Sequence, residues 1–312
     1  MQDELLKQSV DECIGALLAP FAETTDLHQL LQRAAGRVGG DAHGKSWSLL
    51  PAIVCEAVCG RYDRAVPAAT MVHLLNAAAE LFDDVEDADV PDDSLAGRSP
   101  ATAVNAATAL LILSQRAAGQ FRRYGVDDAT AIQAIEAVNT GYAKACAGQH
   151  RDLTVERGSI PDESAYLEIT AMKSASTIEC ACHAGALLGG AGETVIGLFI
   201  KYGNRLGMSA QIANDIQGIT DGRDILHRRM TLPVIFGLNH TGGQSFNRLQ
   251  RYFSERDAGE EKTAEIKDIL FQSGAIQYTM ITMALYRQEA QDALDTLAHN
   301  GVTIGTLEKY LK

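Results

Sequence analysis

Basic residues are scarce: 27 Lys and Arg stand against 40 Asp and Glu, a formal net charge of −13. Such a chain repels a phosphate backbone except at a local basic patch, which excludes nucleic acid as a partner. A phosphorylated substrate would then need divalent metal between two negative partners. Proline is sparse too, seven in 312 residues, and 46% of the chain is hydrophobic against 21% charged, so disordered, collagen-like and low-complexity classes are excluded. No apolar run has the length of a bilayer span. The longest, Ala106 to Ser114, is about half of it, and Glu193 interrupts the stretch from Ala184 to Ile200. The opening Met1-Gln2-Asp3-Glu4-Leu5-Leu6-Lys7 lacks a charged-then-apolar leader pattern, so a cytoplasmic protein without a transmembrane segment is expected. The six cysteines lack zinc spacing: Cys55 and Cys59 are one helical turn apart, and Cys180 and Cys182 have no partner pair nearby. They read as free thiols.

What is present is helical periodicity. Apolar residues recur three and four apart, as in Leu74, Leu75, Ala78, Leu81 and Phe82, while alternating strand patterns are almost absent. The expected fold class is all-α. Breaks at Pro20, Gly39-Gly40, Pro67, Pro91 to Pro100, Gly125, Gly158 to Pro161, Gly189 to Gly192 and Gly218 to Pro233 leave about a dozen helices, with long ones near 67–88, 126–150, 162–188 and 193–216. No Ser/Gly-rich linker or internal repeat divides the chain, so 1–312 is read as one domain.

The strongest local signal is Phe82-Asp83-Asp84-Val85-Glu86-Asp87-Ala88-Asp89, closing an apolar helix. On a helix Asp83 and Asp87 stack at i and i+4 with Asp84 beside them, and like charges so placed repel by a few tenths of a kcal/mol per pair. No Lys or Arg stands between Asn76 and Phe82 to compensate. Hard oxygen ligands in this pattern suit Mg²⁺, which bridges carboxylates to a substrate phosphate. A solvated acidic helix end is the other reading. A second polar group, Gln211 to Gly218, closes another long helix, with Asp221 and Asp224 just beyond. Two helix ends bearing oxygen ligands can face each other across a bundle. Lys45, Arg98, Lys173, Arg228 and Arg229 are the cations available for a diphosphate.

These residues resemble the trans-isoprenyl diphosphate synthase (polyprenyl synthetase) family, the class I all-helical prenyltransferases. The resemblance runs in order through Asp83-Asp84-Val85-Glu86-Asp87, Gly148-Gln149-His150-Arg151-Asp152-Leu153, Tyr166, Lys173-Ser174, Gly185-Ala186-Leu187-Leu188, Gln211 to Gly218, and Asp224 to Pro233. It is strongest over 44–240. It implies one isoprenoid synthase domain, a helical bundle around a central cavity, and a homodimer. Its implied metal ligands are Asp83, Asp84, Asp87, Asn214 and Asp215, holding roughly three Mg²⁺ ions, with Lys173 catalytic beside the three acids of the first motif. The implied substrate contacts are Ala78, Ala79, Phe82, Gln149, Gln211, Arg228 and Arg229.

The departures point to a divergent member. Where the family carries Gly-Lys-Arg-x-Arg-Pro, this chain has Gly44-Lys45-Ser46-Trp47-Ser48-Leu49, and the family's later Arg-Arg-Gly is Leu95-Ala96-Gly97-Arg98. Asn76 replaces a histidine usual seven residues before the first aspartate. Each missing charge-assisted hydrogen bond is worth about 1.5–3 kcal/mol, so the isopentenyl diphosphate pocket is expected to be lost. In the second motif, two aspartates and a third three residues on become Asn214, Asp215 and Gly218. This is similar to the opening of the terpene synthase metal motif, and leaves open whether Asp221 or Asp224 supplies the missing acid. Gly274-Ala275-Ile276-Gln277-Tyr278 is similar to enzymes that prenylate a tryptophan of a pheromone peptide. The expected activity is therefore Mg²⁺-dependent ionisation of an allylic prenyl diphosphate with diphosphate release, by a terpene synthase of the lyase type. Aromatic faces at Phe82 and Trp47 would stabilise the cation. A tail of about twenty carbons is expected because Ala78 and Ala79 leave room for buried methylenes. Peptide prenylation, chain elongation and an inactive regulatory subunit are the alternatives.

Overall fold

The computed structural model describes residues 2–38, 46–86, 99–155, 162–254 and 263–312. Among these there is no strand. The helices in chain order are α1 (Gln2–Leu18), α2 (Thr25–Arg37), α3 (Leu50–Cys59), α4 (Val66–Glu86), α5 (Pro100–Ala118), α6 (Asp128–Thr154), α7 (Glu163–Thr170), α8 (Ser176–Leu188), α9 (Glu193–Thr220), α10 (Arg223–Leu226), α11 (Leu232–His240), α12 (Gly243–Ser254), α13 (Thr263–Gln272) and α14 (Ala275–His299).

Local chemistry sets several boundaries. Pro100 opens α5 behind Ser99, whose hydroxyl accepts from Thr102 N, and Asp127 caps α6 by accepting from Thr130 N at 3.0 Å. At the other end of α3, Gly60 takes the left-handed conformation that stops a helix. The stretch Asp63–Glu86 has the length and hydropathy of a membrane span, but 78% of its most apolar window is buried inside the bundle. It is thus the bundle's core helix: Met71, Leu74, Ala78 and Leu81 are all within 1% of full burial. Two apolar clusters fill the molecule. The larger joins α1 to α6, α8, the first half of α9 and the end of α14; the smaller joins the end of α9 to α10 through α13 and the start of α14.

The chain does not run smoothly from α7 to α8. Residues Ala171–Ala175 form a π turn, a wide turn that often marks functional sites. Two helices press against it through glycine. A methyl group at Gly148 of α6 would lie 2.4 Å from Lys173 N, and one at Gly207 of α9 would lie 2.6 Å from Ala175 Cα. Both obstacles are backbone, which cannot swing aside as a flexible side chain can.

Gly148→Ala is accordingly expected to lower the unfolding free energy by about 1–3 kcal/mol, the cost of overpacking a tight contact. Gly15→Ala, in the interior of α1 with nothing within 4 Å of the new methyl, should gain about 0.5–1 kcal/mol. Urea titration of both variants checks this; an equally stable Gly148→Ala would contradict it.

Candidate active site

The last turns of α4 are acidic on two faces. Asp83 turns toward α6, where Gln149 Nε2 donates to Asp83 Oδ1 at 2.8 Å and to Glu86 Oε2 at 2.7 Å. One amide thus holds two acids of the neighbouring helix together. Its other atom, Gln149 Oε1, is buried with no hydrogen-bond partner among the described residues. Asp84 lies about 100° further round the helix and turns to α2, where Arg37 Nη1 meets its Oδ2 at 2.7 Å. Burial pushes the Glu80 carboxyl upward, Arg37 opposes that, and Asp84 and Asp83 add to it. Asp87 lies outside the described residues, as do Lys45 and Arg98.

The end of α9 is arranged differently from the expectation. Asp215, expected as a metal ligand, is 2% exposed. Gln211 Nε2 donates to its Oδ1 at 3.1 Å, Leu232 N donates to Oδ2 at 3.2 Å, and the Tyr166 hydroxyl donates to Oδ2 in a short bond. Both oxygens are therefore engaged inside the protein, which favours a structural tie between α7, α9 and α11. Burial outweighs these donors and pushes the Asp215 carboxyl up to about 6. Asn214, by contrast, is exposed.

The Asp224 carboxylate packs directly on Gly218. A methyl at Gly218 would lie 2.0 Å from Asp224 Oδ2, 2.3 Å from its Cγ and 2.7 Å from its Oδ1. The Asp224 carboxylate fills the space that a side chain at 218 would take, four residues along the helix from Asn214 and therefore on the same face. Asp221 instead accepts from Arg223 N at 3.0 Å in the turn beyond. Burial pushes the Asp224 carboxyl upward, and the nearby Arg229 and Arg223 pull it back.

Lys173, in the π turn, reaches Asp152 Oδ2 at 2.9 Å, and Ser174 Oγ donates to Gln211 Oε1 at 3.0 Å. The π turn therefore ties α6 to α9 through side chains as well as backbone. Arg229 N donates to Asp224 O at 2.9 Å, so Arg229 starts beside the carboxylate. Arg228, expected to bind substrate, takes the left-handed conformation with φ 52° and sets its guanidinium 5.3 Å over the Tyr252 ring on α12. Of the expected tail contacts, Ala78 is fully enclosed in the core, Phe82 packs half-buried on it, and Ala79 is exposed.

The segment that replaces the family's cationic loop is turned inward. Ser46 Oγ and Ser48 Oγ are 3.0 Å apart, Ser48 Oγ is 3.1 Å from His73 Nδ1, and His73 Nε2 is 2.8 Å from Ala35 O. A carbonyl only accepts, so Nε2 carries the proton and Nδ1 accepts from Ser48. Ser48 is fully buried, and burial lowers the His73 pKa, keeping the ring neutral. Trp47 packs against Tyr310 with ring centres 5.5 Å apart, and the Tyr310 hydroxyl donates to Ser46 O at 2.9 Å. Trp47 is thus part of the core packing.

Sequence reasoning missed Arg37, Glu86 and Tyr142, whose hydroxyl donates to Asn76 Oδ1 at 2.6 Å. Glu86 stood inside the acidic run at i+3 from Asp83, a spacing that signals a shared face. Arg37 and Tyr142 carried no such signal, because their partners are 47 and 66 residues away.

Two outcomes are expected in metal-free protein. The Asp215 carboxyl should titrate near pH 6 by NMR, and Tyr166→Phe, by removing a donor to the charged form, should move that midpoint up. Because the folded-state value exceeds the unfolded one, its contribution to stability is full below about pH 4 and is lost as pH rises through 6. A midpoint below 4, or a downward shift in Tyr166→Phe, would contradict this. Gly218→Ala should expel the Asp224 carboxylate, visible as a return of the Asp224 carboxyl toward its ordinary pKa; an unchanged resonance would count against the packing described.

Known proteins share the family and the fold of this chain. The chain is 26% identical over 314 residues to geranylgeranyl diphosphate synthase of Methanosarcina mazei, covering 95% of this chain and 91% of that one. It is 29% identical over 243 residues to the tryptophan prenyltransferase ComQ of Bacillus subtilis subsp. natto, covering 76% and 72%. A further relative, geranylgeranyl pyrophosphate synthase 6 of Arabidopsis thaliana, is 29% identical over 215 residues, and the match spans 63% of its length. In fold, the chain superposes on the geranylgeranyl pyrophosphate synthetase of Pyrococcus horikoshii with a TM-score of 0.81 at 20% identity, covering 95% and 93%. The polyprenyl synthetase profile matches residues 37–270, and the chain belongs to the polyprenyl synthetase family.

Proposed function

We propose that this protein binds an allylic prenyl diphosphate with Mg²⁺ between the ends of α4 and α9 and breaks its C–O bond, releasing diphosphate without elongation by isopentenyl diphosphate. The observation that carries the second half of this reading is the inward-turned segment 46–48. Its hydroxyls are spent on each other and on neutral His73, so they offer no charge to a second diphosphate, and neutral donors contribute about half of what charged ones do.

The donor set suits a hard cation. Carboxylate and amide oxygens are the ligands of an ion that keeps its waters and takes only one or two carboxylates per site, with substrate phosphate completing the shell. Asp83 and Asp87 on the first helix end, and Asn214 with Asp224 on the second, would hold it; Asp84 acts through its pairing with Arg37. When bound, Mg²⁺ neutralises the charge that develops on the departing diphosphate. The chain's own part is positional. Gln149 fixes the orientation of Asp83, Asp152 holds Lys173 where its ammonium can donate to the leaving oxygens, and Arg229 adds a second cation. The allylic cation left behind sits among apolar walls with no second diphosphate to meet, and proton loss, cyclisation or water capture follows.

The second reading, transfer to a tryptophan side chain, rests on the similarity to ComQ over about three quarters of both chains. A homodimer belongs to either reading, and exposed Val104, Leu111 and Ile112 on α5 and Ile132 on α6 support it.

Diphosphate release from allylic diphosphates with Mg²⁺, in the presence and absence of labelled isopentenyl diphosphate, tests the proposal. Release should proceed without the label entering a longer prenyl diphosphate, and Asp83→Ala should reduce it at least about a hundredfold while leaving the helical circular dichroism unchanged. Label incorporated at the rate of allylic consumption restores an elongating synthase, and release that starts only when a tryptophan-containing peptide is added selects the second reading.

A further inference from the structure

The last turn of α3 brings two thiols onto one carbonyl. Cys55 and Cys59 stand at i and i+4 on one face of the helix, and their sulfurs are 3.9 Å apart. Beyond Cys59 the chain reverses. Gly60, at φ 74°, closes the helix with its N–H on Glu56 O at 2.7 Å, a left-handed turn that glycine adopts without strain. The reversal carries Arg61 O back over the thiol face, where it accepts from Cys55 Sγ at 3.1 Å and from Cys59 Sγ at 3.7 Å. Cys55 is fully buried and Cys59 is exposed, so the trio is reached from the Cys59 side. Burial pushes the Cys55 thiol up, Cys59 adds to this, and the charge of Arg64 pulls it back. Arg64 Nε is itself buried with no hydrogen-bond partner among the described residues. The Asp63 carboxylate is engaged by Arg61 through Nε to Oδ1 at 3.2 Å and Nη2 to Oδ2 at 2.7 Å.

Three donors at these spacings enclose the room of one atom. A point equidistant from the two sulfurs and the oxygen lies about 2.1 Å from each, and a small displacement out of their plane gives the roughly 2.3 Å of a metal–thiolate bond. A disulfide fits less well. Cβ atoms four apart on a helix are about 5–6 Å from each other, beyond the roughly 3.5–4.5 Å that a disulfide spans. Thiolates select soft cations, and among these copper(I) is satisfied by two or three ligands, whereas a structural zinc ion takes four.

We propose that Cys55, Cys59 and Arg61 O form a binding site for a copper(I) ion, with Arg64 as its counter-charge. The ion displaces one proton from each thiol to solvent and forms two copper–sulfur bonds, with no change of oxidation state. Two thiolates and one monovalent ion leave a single negative charge in a half-enclosed place, where a charge needs a partner. Arg64 supplies it. The site is separate from the acids of α4 and does not depend on the reading of the active site: Val66, which opens α4, precedes Asp83 by 17 residues, about 25 Å of helix.

Anaerobic titration of the full chain with copper(I) supplied as its ferrozine complex tests this, followed by the sulfur-to-copper absorption in the ultraviolet and by native mass spectrometry. The wild type should take one copper(I) per chain from the chelator. Cys59→Ser, at an exposed position where serine disturbs no packing, should weaken binding at least about a hundredfold, and Arg64→Gln about tenfold. Cys146→Ser, which alters the other exposed thiol, and Asp83→Ala should bind as the wild type does. A wild type that leaves copper(I) on the chelator overturns the proposal. So does an affinity unchanged in Cys59→Ser, loss of the ion in Cys146→Ser, or displacement of copper(I) by an equal concentration of zinc.

Discussion

Everything in the site depends on one close contact: the backbones of α6 and α9 pressed against the π turn at 171–175. Gly148 and Gly207 permit it, since any side chain there would enter backbone atoms of the turn. The contact places Lys173 within reach of Asp152 and Ser174 within reach of Gln211. It also fixes α6 at the distance from which Gln149 can hold Asp83. An interior packed this tightly transmits small displacements instead of absorbing them, so the positions of acids and cations are set by helix crossing as much as by their own bonds.

Electrostatics then divides the acids by task. Asp83 and Glu86 are exposed at the end of α4 and share Gln149, whereas Asp215 is withdrawn and saturated by Tyr166, Leu232 and Gln211. A buried carboxylate with every oxygen bonded stabilises a fold junction better than it serves an incoming cation. At Gly218 the helix gives up a side chain, and the carboxylate of Asp224 in the following turn, itself buried, packs into that place.

The helical class and the acidic end of α4 were legible because they are local: helical period and i to i+4 spacing act within a few residues, whereas Gly148 to Asp152 stood out only through the resemblance to the family. The burial of Asp215 was not legible, because a sequence shows an aspartate's charge but not its surroundings, and its partners include Tyr166 of α7 and Leu232, which opens α11. The stacking of Arg228 on Tyr252 was not legible for a similar reason, since it depends on a left-handed backbone that nothing local announced. The sequence leaves Asp221 and Asp224 both open as the missing acid, because the packing of Asp224 on Gly218 joins a helix to the turn beyond it. Arg37 and Tyr142 were invisible, because each acquires meaning only from a partner on another helix.

A crystal structure of the chain with Mg²⁺ and inorganic diphosphate tests the account most directly. The account predicts metal between Asp83 on one side and Asn214 with Asp224 on the other, Lys173 donating to the diphosphate, and Asp215 still bonded to Tyr166. Metal coordinated by Asp215 with Tyr166 displaced, or diphosphate bound at Ser46 and Ser48, would contradict it.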